Sequence, residues 1–216
     1  MSMVEKEVAI STPEATLPGN LAMPAQAGGL VVFVHGSGSS RLSPRNRFVA
    51  AQLNQAGNAT LLFDLLTPEE ARVDEVTGEL RFDITLLSQR LDGVLDWIAQ
   101  QAELNGLKIG LFGASTGAAA ALRAAARRPE RIAAVVSRGG RPDLAGDVLS
   151  RVEAPTLLIV GALDEVVLGL NRQAAKQLKR HGLEVVAGAT HLFEEAGKLE
   201  EVATLAAKWF NRHLGV

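Results

Sequence analysis

Ser115, Asp164 and His191 supply, in that chain order, a hydroxyl, a carboxylate and an imidazole. Together these groups can perform acyl transfer. The serine is a weak nucleophile until a histidine removes its proton, and a carboxylate holds that histidine in the useful tautomer. Ser115 lies in Gly113-Ala114-Ser115-Thr116-Gly117, after apolar Ile109-Gly110-Leu111-Phe112 and before an alanine-rich run. Such a stretch reads as a buried strand that turns sharply at the serine into a helix, lifting Oγ clear of the sheet. Glycine at 113 and 117 removes side chains that would collide with a neighbouring strand or helix, and relaxes the dihedral limits. Asp164 closes the apolar run Thr156-Leu157-Leu158-Ile159-Val160-Gly161-Ala162-Leu163. His191 follows another run, Leu183-Glu184-Val185-Val186-Ala187-Gly188. Glu165 is the alternative partner for His191, and the Gly161-x-x-Asp spacing favours Asp164.

Acyl transfer also needs donors aimed at the developing oxyanion. The backbone N–H of Thr116, the residue after the nucleophile, is one. The second comes from the loop His35-Gly36-Ser37-Gly38-Ser39-Ser40, which follows the apolar run 30–34. Ser37 is the expected donor, with Gly38 its alternative. Arg41 beyond this loop, and Arg138 and Arg141 in Ser137-Arg138-Gly139-Gly140-Arg141, could clamp a substrate carboxylate together with the Gly38 backbone. The plainer expectation is that they are solvated or pair with Asp143, Glu69 or Glu70. His35 reads as a loop-shaping residue bonded to backbone. A phosphate-binding glycine loop would also place small residues at a helix N-terminus, but no Lys-Ser/Thr pair follows here.

These residues must be positioned by strands and helices in alternation. Strand patterns at 4–10 and 16–23 suggest an opening antiparallel piece, followed by strands at 30–34 and 59–65. A helix near 44–56 lies between the latter two, with Ser43 as N-cap, Pro44 in its first turn and Gly57 past its end. An acidic connection, 67–81, leads to a helix near 84–102. The helix after Ser115 spans about 116–127, a strand 132–137 and a short helix 144–151. A helix near 171–180, a strand at 183–186 and a terminal helix at 199–214 complete the set. The expected fold is α/β, a doubly wound, mostly parallel sheet with helices on both faces in one domain over 1–216. Only residues 138–153 separate the sixth strand, 132–137, from Ala154-Pro155, so no large lid domain is expected and the site should be open and shallow. The connection 67–81 is the segment long enough to overhang it.

Taken together, the His35-Gly36-Ser37 loop, the Gly113–Gly117 pentapeptide, Gly161-Ala162-Leu163-Asp164 and Gly188-Ala189-Thr190-His191 resemble the α/β-hydrolase fold, dienelactone hydrolase-like and carboxylesterase group. The likeness runs from about Val4 to the end. It implies a Ser-His-Asp triad and a backbone oxyanion hole. Dienelactone hydrolases use a cysteine nucleophile, whereas this chain has serine at that place and no cysteine, which favours a serine carboxylesterase-like activity.

The balance of 22 basic and 24 acidic residues suggests neither nucleic acid nor a membrane surface as partner. A small-molecule ester is the expected partner, and the protein a monomer or homodimer. No metal or other cofactor is expected, since no histidine–carboxylate cluster has ligand spacing. Met1-Ser2-Met3-Val4-Glu5-Lys6 carries no apolar leader run, so a cytoplasmic location is expected. A thioesterase or acyltransferase would use the same residues. A non-catalytic ligand-binding protein of this fold is the alternative from another class.

Overall fold

A computed structural model describes residues 3–215. Met1, Ser2 and Val216, at the ends of the leader and single-domain readings, lie outside the described residues. The chain opens with two antiparallel strands, β1 (Met3–Ser11) and β2 (Thr16–Pro24), as the sequence pattern suggests. β3 (Gly29–Val34), β4 (Ala59–Phe63), β5 (Lys108–Ala114), β6 (Ile132–Arg138), β7 (Thr156–Gly161) and β8 (His181–Val186) follow. They form one eight-stranded sheet in the order β1-β2-β4-β3-β5-β6-β7-β8, and only β2 runs against its neighbours. β3 and β5 are central and buried along nearly their whole length, so their continuous apolar runs have no polar alternation.

Helices α1 (Pro44–Gln55) and α6 (Lys198–Leu214) pack on one face of the sheet. α3 (Ile84–Gln100), α4 (Gly117–Arg127) and α5 (Glu165–Ala175) pack on the other. α4 owes its central place to its composition. Ala118, Ala119, Ala120, Ala121, Ala124 and Ala125 are all fully buried, and such small side chains let the helix lie close to the strands. Ser43 caps α1 by accepting the Asn46 N–H, as its type and place imply.

Two elements depart from the sequence pattern. Most of the connection 67–81 is itself a helix, α2 (Pro68–Thr77), begun by a reciprocal capping box between Thr67 and Glu70 and ended by Gly78 in the left-handed conformation. α5 begins immediately after Asp164, not near 171. The β-branched pair Val166-Val167 and Gly169 disguise its first turns, and tertiary packing overrides their weak propensity. The 138–153 connection holds only a 3-10 stretch, Pro142–Arg151. Among the described residues no helix is long and apolar enough to cross a membrane.

Candidate active site

Ser115 stands between the end of β5 and the start of α4 with φ of 50°. A non-glycine residue in that region costs about 1–3 kcal/mol and persists where the surroundings impose it. The surroundings are specific. The Ser115 N–H donates to the Arg138 carbonyl, and the Arg141 N–H donates to the Ser115 carbonyl, so residues 138–141 bracket the turn. The flanking glycines are required sterically, one against the helix and one against a strand. A Cβ at Gly113 would come within 2.4 Å of Ala118 Cα, and one at Gly117 within 2.1 Å of the Val34 carbonyl oxygen.

Asp164 Oδ2 accepts a hydrogen bond from His191 Nδ1 at 2.6 Å, which presents Nε2 as the free basic nitrogen. Glu165 lies in the first turn of α5 and is not the partner. The two loops lock together. The Leu163 N–H donates to the Ala189 carbonyl, and a Cβ at Gly161 would fall 2.3 Å from that same oxygen. The histidine loop is further tied by Glu195 Oε1, which accepts from the Thr190 N–H and hydroxyl. Its close is Phe193, fully buried and the second non-glycine residue of positive φ, at 58°. Gly139 lies against this loop, since a Cβ there would sit 3.4 Å from both Cε1 and Nδ1 of His191. The loop that touches the His191 ring is therefore the one that brackets Ser115. Among the described residues no hydrogen bond joins Ser115 Oγ to His191, a looseness resting catalytic sites commonly show.

On the other side of the turn, Gly36 lies against Ser115, a Cβ there coming within 3.0 Å of Ser115 Cβ. The Ser37 N–H donates to Thr116 Oγ1 at 2.9 Å. Gly38 takes a left-handed φ of 67°, and a Cβ there would lie 3.5 Å from Arg81 Nη1. This loop and α2 wall a cleft of about 830 Å³ that includes Gly38, Arg41, Asp74 and Arg81. The segment 67–82 thus lies over the His35–Ser40 loop. It is held there by partly buried ion pairs. Arg90 on α3 reaches Glu70 at 2.6 Å, and Asp74 accepts the N–H groups of Leu80 and Arg81 and the Arg81 Nε–H. Burial alone would raise the Asp74 carboxyl, but these donors outweigh it and hold the group below the usual carboxylate range.

Two of the three arginines weighed for a carboxylate clamp pair with carboxylates of this chain, Arg141 with Asp143 as the plainer expectation allowed. Arg41 is paired with Asp64 at 3.0 Å, and Arg141 with Asp143 at 2.7 Å. Arg138 is buried, with its Nη2 3.5 Å from Asn46 Oδ1 and its guanidinium 6.0 Å from the centre of the Phe193 ring. Among the described residues its Nε has no partner. Burial, reinforced by nearby Arg45, pushes its pKa down to about 10, so it still carries its charge at neutral pH. Methionine fills a similar volume without that buried charge, so Arg138→Met is expected to melt at or above the wild-type temperature. Thermal unfolding followed by circular dichroism measures this, and a clear drop would show that the contacts with Asn46 and Phe193 outweigh the desolvation.

His35 shapes the loop, as its place suggests. Nδ1–H donates to the Gly36 carbonyl at 2.9 Å, and Nε2 accepts the Leu65 N–H at 3.1 Å. Burial lowers its pKa from 6.5, with the Gly36 bond and Asp64 offsetting only part of that. The unfolded chain therefore binds this proton more readily than the native one. Stability is present above about pH 6.5 and is lost as pH falls through the lowered native value. Denaturant midpoints between pH 7.5 and 5.5 should decline, and less so in His35→Asn, which at pH 7.5 costs about 1–3 kcal/mol through two unmade buried bonds. His213, lowered first by burial and then by Arg212 and Arg180, supplies a remaining slope in the same window.

Sheet order, serine turn and Asp–His pair define an α/β-hydrolase, and a family model described as alpha/beta hydrolase fold matches residues 29–154. The crystal structure of a dienelactone hydrolase from Anabaena variabilis ATCC 29413 is 55% identical and superposes with a TM-score of 0.96, covering 98% of each chain. Est1E from Butyrivibrio proteoclasticus superposes with a TM-score of 0.81 over 97% of this chain and 99% of its own, at 18% identity, a likeness of fold alone. Proteins of Mycobacterium tuberculosis named putative phosphoribosyl transferase are 56% identical over 211 residues, covering 97% of this chain and 47% of theirs. The chain thus spans about half the length of those curated relatives. It belongs to the α/β-hydrolase fold family, in the dienelactone hydrolase-like group.

Proposed function

We propose that the protein is a serine hydrolase that cleaves small or short-acyl carboxylic esters through an acyl-enzyme. The observation that carries the reading is the 2.6 Å bond between His191 and Asp164, beside a serine held in a strained strand-to-helix turn. His191 Nε2 takes the Ser115 proton as Oγ attacks the acyl carbon. The tetrahedral oxyanion is held by donors that include the Thr116 N–H. Collapse breaks the ester C–O bond, and the imidazolium returns the proton to the departing alkoxide. Water, deprotonated by the same imidazole, then opens the acyl-enzyme and regenerates Ser115. Asp164 stabilises the imidazolium throughout.

The connection 138–153 holds only a short 3-10 stretch, so little apolar wall is available for a long acyl chain, and compact esters fit better. The name of the Anabaena relative adds lactones, which are cyclic esters opened by the same steps. Phosphoribosyl transfer is not part of this reading, because that name belongs to proteins about twice as long. Thioesters would use the same machinery.

The test is intact mass after exposure to a fluorophosphonate, with peptide mapping. Stoichiometric modification at Ser115, lost in His191→Ala, is the expected result. A folded protein left unmodified at neutral pH would favour the ligand-binding alternative.

A further inference from the structure

Thr116 occupies the N-cap position of α4, yet its side chain makes no capping bond. A threonine there ordinarily accepts an N–H of the first helical turn. Here the hydroxyl is turned the other way and buried against the oxyanion loop. Thr116 Oγ1 accepts the Ser37 N–H at 2.9 Å and lies 2.8 Å from Ser37 Oγ, which lies 3.2 Å from the Arg81 carbonyl oxygen. Donation by Ser37 to the Arg81 carbonyl, which can only accept, leaves Thr116 as the donor between the two hydroxyls. That assignment runs the string from the Ser37 N–H to the Thr116 hydroxyl, on to the Ser37 hydroxyl and finally to the Arg81 carbonyl.

This arrangement occupies the very N–H that a purely backbone oxyanion hole would use. We propose that the Thr116 hydroxyl is itself an oxyanion donor, standing in for the Ser37 N–H. The inference rests on the acyl-enzyme reading above and deepens it. Thr116 contributes its N–H from the residue after the nucleophile, and its hydroxyl lies within hydrogen-bond reach of a loop that touches Ser115 Cβ. Rotation about the Cβ–Oγ1 bond redirects its proton without moving a heavy atom, and donation requires the substrate oxygen to bind within reach of Oγ1. A negatively charged acceptor outcompetes a neutral hydroxyl oxygen for that proton. The Ser37 N–H stays on Thr116 Oγ1 and polarises it, strengthening the donation. No proton changes owner in this step.

The opposite reading, that the hydroxyl merely obstructs the Ser37 N–H, makes the opposite forecast. Thr116→Val keeps the shape and deletes the hydroxyl. If the hydroxyl donates, kcat for a short-chain ester falls about 10²–10³-fold with KM little changed, the loss typical of one oxyanion donor. Fluorophosphonate modification of Ser115 slows in parallel, and Thr116→Ser recovers most of both rates. Thr116→Ala, which cannot strain the turn, gives the same loss should the valine variant melt early. A Thr116→Val or Thr116→Ala protein that reacts as fast as wild type, or faster, overturns the proposal while leaving Ser115 as nucleophile. A folded wild type that the fluorophosphonate does not modify removes the acyl-enzyme reading, and this inference with it.

Discussion

Ser115→Ala is expected to lower kcat for ester hydrolysis by about 10⁶-fold, to the level left by binding and the oxyanion hole alone. The size follows from the division of labour in the site. His191 and Asp164 act on the substrate only through the proton of Ser115, so without Oγ their 2.6 Å bond has nothing to activate. The same substitution should hardly touch stability. Ser115 Oγ makes no hydrogen bond among the described residues, and alanine carries the same Cβ into the strained turn at φ of 50°. Melting within a few degrees of wild type, with activity lost, is the expected pair of results. Retention of more than about one part in a hundred of the activity would place the nucleophile elsewhere, since that loss is far smaller than removal of a triad serine causes.

Much of this site is legible in the sequence because its requirements are local. The turn at Ser115 needs glycine two residues to either side, and the clashes a Cβ would meet at Gly113 and Gly117 are those the spelling implies. Asp164 and His191 follow apolar runs that become β7 and β8, and a parallel sheet necessarily delivers the ends of such strands to one edge. What the sequence hides depends on partners far apart in the chain. The fate of Arg41 is decided by Asp64, 23 residues on, and that of Arg138 by Asn46 and Phe193 from two other elements. The Thr116 hydroxyl looks like a helix cap until the loop at Ser37 is seen beside it. α2 was within reach, because Thr67-Pro68-Glu69-Glu70 spells a capping box with a first-turn proline. An acidic helix with Val73 and Val76 exposed presents no apolar stripe of helical period, and it is Asp74 and Glu70 that anchor it.

Glycine to alanine at 117 is expected to cost more than about 4 kcal/mol, enough to leave the protein largely unfolded or in inclusion bodies. The new Cβ would lie 2.1 Å from the Val34 oxygen and 2.4 Å from the His35 oxygen. Both are backbone atoms at the end of β3, which is bonded to β4 on one side and β5 on the other, so neither can retreat without breaking a ladder. Nor can α4 withdraw, because its buried alanines hold it against the same strands. The identical change at Gly169 should act in the opposite direction. That residue is inside α5 with nothing within 4 Å of the added Cβ, so alanine is expected to gain about 0.5–1 kcal/mol by restricting the unfolded chain. Denaturant unfolding of the two variants beside wild type measures both signs. A Gly117→Ala protein that folds with near-native stability would mean that β3 and α4 can separate at the nucleophile. A gap of that kind would undo the close contact of the Gly36–Ser37 loop with Ser115 on which the oxyanion site depends.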